Sequence, residues 1–406
     1  MRAGLAPWNA VVCVLALVGC GSAGAPGPDA APSCWQETAP ASQAQAPFIF
    51  SQLDEVALGA DGQTAPLTIP LPAGGDTFAL RISDASGAPV CVQLDSVVDS
   101  AGDAWVTSMA GDWGPFCVGC PQRVSVGIGY GAFVLPSNDR PPPWPAALQI
   151  IAGARDCATL LPGPPSQPAQ LQVEGWFPDA IAPSRAGVIS LGLAFLRQSP
   201  LADESTRQAV LPETLRLVNE LLAPGALQIV VARTRVVDTG TGTLELSRGD
   251  DGPLDALFEQ VLSGDGCGAP ADEGWVPVVF AGCLRVVDPL QSITSEPDGL
   301  TPGIPDGFPP PGRAHGVYLK GQSCQAGMAP IAWSSSMLAK LLAHELGHYL
   351  GLYHSVEADG TVDQLADTDE TNLMYYSPLT VAAPAFSASQ FQVMRRHPAI
   401  RWSPAN

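Results

Sequence analysis

The sequence predicts an α+β protein in two folded parts, an all-β, sandwich-like region at 48–161 and a mixed region at 185–406. Three observations predict it. Short β-like runs broken by Gly, Pro, Asp and Ser fill the first part. A Pro- and Gly-rich stretch, LPGPPSQPAQ (161–170), separates the parts and opens a linker over 162–184. The second part mixes apolar strand-like runs with helical patterns, the strongest being SSSMLAKLLAHELGHYLGL at 334–352. Composition agrees. With 42 Gly, 41 Pro and 14% charged residues among 406, the chain is turn-rich rather than a helical bundle.

At the start of the chain, Met1-Arg2 precedes a short apolar run, VVCVLALVGC. It is too short to span a bilayer and reads as a secretory signal over 1–19. Its end, LVGC (17–20), resembles a bacterial lipobox, which implies cleavage before Cys20 and a lipid on the Cys20 thiol. The plainer alternative is an ordinary signal peptide with an incidental cysteine. Residues 20–47 are rich in Ala, Pro, Gly and Ser without apolar periodicity, and are expected to form a flexible tether. The expected location is therefore outside the cytoplasm. A lipid anchor, the one expected membrane contact, would hold the chain on the periplasmic or surface side of a bacterial envelope. A net charge of −20 argues against binding nucleic acid or anionic lipid. Beyond Cys13 and Cys20, eight cysteines remain: Cys34, Cys91, Cys117, Cys120, Cys157, Cys267, Cys283 and Cys324. An even set in an exported chain favours disulfides. Proximity suggests Cys267 with Cys283, and Cys117-x-x-Cys120 reads as structural rather than redox.

The β-like runs of the first part are TFALRISD, PVCVQLDSVV, AWVTSM, RVSVGIGY and LQIIAG. In the second part PETLRLVNELLA (212–223) predicts a helix with Pro212 in its first turn. ALQIVVARTRVV (226–237), WVPVVFAG (275–282) and GVYLKG (316–321) predict strands. The last two flank a long Gly/Pro/Asp loop, of the kind that is usually functional in a compact domain. Serines cap the helix at 334–352 and Gly351 lies near its end. A last helix, SASQFQVMRRH (387–397), stops before Pro398.

Five histidines serve the whole chain, and three of them lie in HELGHYLGLYH, at His344, His348 and His354. Residues four apart share a helix face, so His344 and His348 can hold one metal ion. Glu345 is turned by about 100° and can reach a water there without being a ligand. Gly351 tolerates the positive φ of a sharp turn, which brings His354 back as a third nitrogen. Three imidazoles and one open position suit catalytic zinc, which acidifies its water and polarises a carbonyl. Glu345 then acts as general base, passing the proton to the leaving amine.

The pattern H-E-x-x-H-x-x-G-x-x-H resembles the metzincin zinc endopeptidases. The resemblance covers roughly 185–400. It implies a small twisted sheet, an active-site helix, a Met-turn and a C-terminal helix. Met374, in NLMYY (372–376), would be the methionine beneath the metal. Tyr376 matches a tyrosine that in several branches touches zinc or steadies the tetrahedral intermediate. HELGHYLGLYH, D-T-x-x-x-N-L-M (367–374) and F-S-x-x-Q (386–390) look most like the pappalysin-type branch. The resemblance also implies a protein or peptide substrate lying along an edge strand, for which GVYLKG is in place.

Other residues have plainer readings. His315 reads as a loop histidine, His397 as a cation at a helix C-terminus, and Tyr349 and Tyr353 as packing. Asp298, Asp306, Asp359 and Asp363 could hold calcium, but no spacing resembles a calcium loop and they read as solvated acids. The alternative function is a surface binding or adhesion lipoprotein whose β region does the work beside a silent or latent protease domain. The intact Glu345 favours the protease.

Overall fold

The computed structural model describes residues 34–37, 51–84, 91–107, 125–135, 144–156, 170–178, 185–240, 242–247, 252–263, 274–288, 293–308, 314–324 and 332–402. Cys20, Cys117, Cys120, Cys157 and Cys267 lie outside them. The first strands are β1 (Gln36–Glu37), β2 (Ser51–Ala57), β3 (Leu67–Pro70), β4 (Phe78–Asp84), β5 (Cys91–Asp99), β6 (Ala104–Thr107), β7 (Ser125–Ile128), β8 (Tyr130–Leu135), β9 (Ala147–Arg155) and β10 (Gln170–Trp176). Strands β2 to β10 form one antiparallel sheet in the order β2-β10-β4-β8-β7-β5-β9-β3, with β6 beside β5. Residues from both ends of that order, Ile69 of β3 and the partly buried Val56 of β2, share one core with Leu171, Phe78, Leu80, Phe133 and Ile150. The sheet is therefore wrapped around its apolar face as one continuously paired layer. Strand β10 corrects the expected linker. Gln170–Trp176 alternates inward and outward and lies between β2 and β4.

The second part follows with β11 (Gly187–Leu196), α1 (Glu204–Leu222), β12 (Leu227–Val237), β13 (Thr243–Ser247), α2 (Gly252–Ser263), β14 (Val276–Ala281), β15 (Cys283–Asp288), β16 (Ile293–Ser295), β17 (Gly299–Leu300), β18 (Val317–Lys320), α3 (Ser335–Tyr349), α4 (Ala388–Met394) and β19 (Ile400–Trp402). The main sheet runs β1-β12-β11-β14-β18-β17, with β19 beside β11. Strands β12, β11, β14 and β18 are parallel, while β1, β17 and β19 are antiparallel to their neighbours. Helices α1 and α3 cover one face, through Leu191, Leu193, Val218 and Leu342. Helix α2 covers the other, through Ala194, Val279, Leu257 and Phe258. A sheet buried on both faces takes near-continuous apolar residues, which is why the LGLAFL end of β11 is buried throughout without alternation.

Four more expectations are corrected here. Helix α1 starts at Glu204, because Asp203 accepts from the Thr206 amide as its cap, so Pro212 falls inside the helix. Part of the expected tether is docked: β1 pairs with β12, and Trp35 meets Trp275 edge-on at 5.0 Å. Cys283 is bonded to Cys324, not Cys267. The parallel register places Ala281 beside Lys320, so the residues just beyond each strand meet, with Cα atoms 5.8 Å apart. Cys34 and Cys91 are disulfide-bonded too. Finally, GVYLKG is not the edge strand. The long loop folds back so that β17 pairs with β18, Leu300 opposite Tyr318, and β17 takes the edge. Among the described residues, no helix is long and apolar enough to cross a membrane.

The loop after β17 is pinned from several sides. The Asp306 amide donates to Tyr349 O at 3.0 Å, and Tyr353 Oη donates to Ile304 O at 2.9 Å. His397 is buried, not the charged helix-end residue expected. Its Nδ1 accepts from the Ala399 amide, so Nε2 carries the proton and donates to Asp306 O at 3.0 Å. Burial pushes its pKa down to about 3, so it stays neutral. The Asp306 side chain is fully buried, and burial pushes its carboxyl up to about 8 from 3.8. Between these values the folded chain holds a proton that the unfolded chain has released. This contribution to stability is present below about pH 4 and is lost as pH rises to about 8. Asp306→Asn should flatten that part of the stability profile, as read by thermal unfolding from pH 4 to 9. An unchanged slope would refute the assignment.

Candidate metal centre and active site

Helix α3 is capped by Ser334, whose side chain accepts from the Met337 amide. From Leu341 to Tyr349 every residue is buried. His344 and His348 project together, one turn apart. Gly351 has φ +102°, and the Leu352 amide donates back to Gly347 O at 2.9 Å. This turn returns the chain so that His354 joins the other two. His348 Nε2 lies 3.1 Å from His344 Nε2 and 3.2 Å from His354 Nε2.

The opposite ring nitrogens decide what these rings can do. His344 Nδ1 faces Leu373 O at 2.8 Å, His348 Nδ1 faces Leu352 O at 2.7 Å, and His354 Nδ1 faces Glu357 Oε2 at 2.7 Å. Each acceptor demands a proton on Nδ1, which leaves the lone pair on Nε2. Three lone pairs then converge and repel one another unless a cation lies among them. Burial, and next electrostatic repulsion from the neighbouring His354, push the His344 pKa down to about 3, which keeps it a neutral donor. A nitrogen-only set of this kind fits zinc and does not fit calcium, which takes oxygen. Glu357 was not singled out from the sequence, although its place three residues after His354 was the available signal. Glu357→Ala should weaken zinc binding by about 10- to 100-fold, measured by competition with a chromogenic chelator. Unchanged affinity would mean that the carboxylate does not orient the ring.

Glu345 is buried beside these rings. Thr301 Oγ1 donates to Glu345 Oε2 at 2.9 Å. Burial pushes the carboxyl up to about 8, the Thr301 bond opposes this, and the charge of Asp298 adds to it. A carboxyl in this range can both take and return a proton near neutrality. Thr301 was also missed, and no local signal could reveal it, since it lies 44 residues upstream.

Met374 is fully buried under α3. A Cβ at Gly347 would come within 2.5 Å of Met374 Sδ, so the methionine packs against the helix between His344 and His348. Asn372 Oδ1 accepts from the Met374 amide at 2.8 Å and from Gln390 Nε2 at 3.0 Å, which fixes this turn to α4. Tyr376 is 42% exposed, with its ring 4.6 Å from that of Tyr375. Its described side-chain contact is with Tyr375 and not with the imidazoles. The loop acids weighed for calcium are occupied separately. Asp298 pairs with Lys320 at 2.7 Å, Asp306 accepts from the Gly316 amide, Asp359 from the Thr361 amide and Asp363 from Thr368. His344, His348 and His354 form the one metal-type cluster found among the described residues.

No protein-family model matches the chain, and no curated protein matches it. Among solved structures, it is similar to a family two carbohydrate esterase from Clostridium thermocellum, at 11% identity and a TM-score of 0.14 over 57% of this chain and 63% of that one. A family two carbohydrate esterase from Cellvibrio japonicus gives 13% identity and a TM-score of 0.14 over 59% and 64%. An acetyl xylan esterase from Butyrivibrio proteoclasticus gives 11% and 0.15 over 79% and 77%. The chain thus spans less than two thirds of the first two. At these TM-scores the likeness carries no weight for fold or function.

Proposed function

We propose that this chain is a zinc-dependent endopeptidase of the metzincin type. The observation that carries the reading is the convergence of three Nε2 atoms, each with its Nδ1 anchored, beside a buried Glu345. A zinc ion held by His344, His348 and His354 would supply acidified water and a polarised substrate carbonyl. Glu345 takes the proton from the attacking water and returns it to the leaving amine. Met374 supports the floor of the site. Tyr376, exposed and two residues after Met374, would steady the tetrahedral intermediate. An extended peptide would add to the edge of β17 by backbone pairing. The LVGC sequence ending at Cys20 supports export and a lipid anchor.

The test is cleavage of an unfolded protein by the purified full chain, read by mass spectrometry, with Glu345→Ala and a chelated sample beside it. Cleavage by the parent alone supports the reading. No cleavage by folded, zinc-loaded parent overturns it.

A further inference from the structure

We propose that Thr301 is the positioning residue that aims Glu345, and that the N-terminal sheet holds Thr301 in place by bracing the loop 301–308. The inference rests on the peptidase reading above. Helix geometry puts Glu345 near the rings but does not fix its carboxyl. The contact that does so comes from outside α3: Thr301 Oγ1 donates to Oε2 at 2.9 Å and also lies 3.1 Å from Glu345 O. Two residues before it, Gly299 leaves room for the other carboxyl oxygen. A Cβ there would come within 2.5 Å of Glu345 Oε1. The edge strand and Thr301 therefore enclose the carboxyl from one side, and their position sets its aim.

That position is held at the far end of the loop. Phe308 is fully buried in a cluster with Ala79 of β4 and with Ala132 and Val134 of β8. Arg81, in the middle of β4, donates Nη1 to Phe308 O at 3.0 Å. Its guanidinium is fixed by Glu174 of β10, with Nε at 2.6 Å and Nη2 at 2.8 Å from the two carboxylate oxygens. A paired fork on two hydrogen-bonded strands is a stiff support. Arg396 adds a second tie beyond α4, donating to Asp76 O at 2.9 Å. The Phe308 and Arg81 contacts thus tie the sheet to the loop that carries Thr301, while Arg396 ties it separately to the chain after α4. This makes the sheet a component of the catalytic unit, not an independent binding module.

Three variants of the full chain test this. Thr301→Val keeps the shape and removes the hydroxyl. Thr301→Ser keeps the hydroxyl. Arg81→Lys keeps the charge beside Glu174 and removes the Nη1 donor that reaches Phe308 O. The readouts are kcat and KM for peptide cleavage, zinc content, and amide exchange at 299–308. Thr301→Val should lower kcat about tenfold at parental KM and zinc content, with Thr301→Ser within about threefold of the parent. Arg81→Lys should speed exchange at 299–308, leave α3 unchanged, and lower kcat. Parental kcat in Thr301→Val overturns the positioning role. Unchanged exchange at 299–308 in Arg81→Lys overturns the brace, whether or not the parent cleaves peptides. A parent that cleaves nothing overturns the peptidase reading itself.

Discussion

Replacing Glu345 with glutamine is expected to lower kcat for peptide cleavage by about a hundred- to ten-thousandfold while the chain still binds zinc. Glutamine matches the glutamate in shape, and its carbonyl oxygen can still accept from Thr301 Oγ1, which now lies 2.9 Å from Oε2. What it lacks is basicity. The loss therefore measures proton transfer and not a collapse of the site. Burial of Glu345 sharpens the expectation, because few other groups can take its place as base in so enclosed a position. Equilibrium dialysis against zinc and steady-state kinetics on an unfolded protein give the two readouts. A variant that keeps a tenth or more of the parental kcat would exclude Glu345 as the base.

His348→Ala should abolish zinc binding and the stability that depends on it. Of the three rings, His348 is the one whose Nε2 lies within 3.2 Å of both others, so its loss removes the middle donor. A zinc ion that binds the folded site and not the unfolded chain stabilises the fold by mass action. At a zinc concentration about a thousand times Kd, the parent should gain about 4 kcal/mol, and the variant none. A chelator should return the parent to the metal-free midpoint. Thermal unfolding with and without zinc checks both statements. Equal zinc stabilisation of parent and variant would show that the ion binds elsewhere.

The two residues differ in how far the sequence announces them. His348 stands four positions after His344, and a helix turn makes neighbours of residues at that spacing. Serines start α3, and Gly351, at φ +102°, ends it with the turn its neighbours could not adopt as easily. Met374 comes in the short stretch after His354, and Ser387 and Gln390 form the capping box that starts α4. For the α3 histidines with Gly351, and for Ser387 with Gln390, the partners lie within a few residues along the chain, so the local pattern carries the geometry, whereas Met374 was indicated only by the resemblance.

Where partners are distant, the pattern misled or was silent. Cys267 looked like the mate of Cys283 because it is near in sequence, but parallel pairing of β14 and β18 brings up Cys324 from 41 residues away. GVYLKG stands where the resemblance implies an edge strand, yet edge status depends on which segment arrives beside it, and β17 does. His397 follows two arginines at a helix end, which suggested a cation, and its protonation was decided by burial against Phe308 and Tyr349.

By itself, then, the sequence determined the helix α3, the three converging histidines, the glutamate among them and the turn that returns His354. These follow from helical spacing and a single glycine. Only the tertiary structure decided that Thr301 holds Glu345, that Glu357 faces His354, and that Arg81 reaches Phe308 across 227 residues. The physical reason is that strand register and side-chain burial are set by the whole folded chain. A hydrogen bond between residues far apart leaves no period in the sequence from which it could be read.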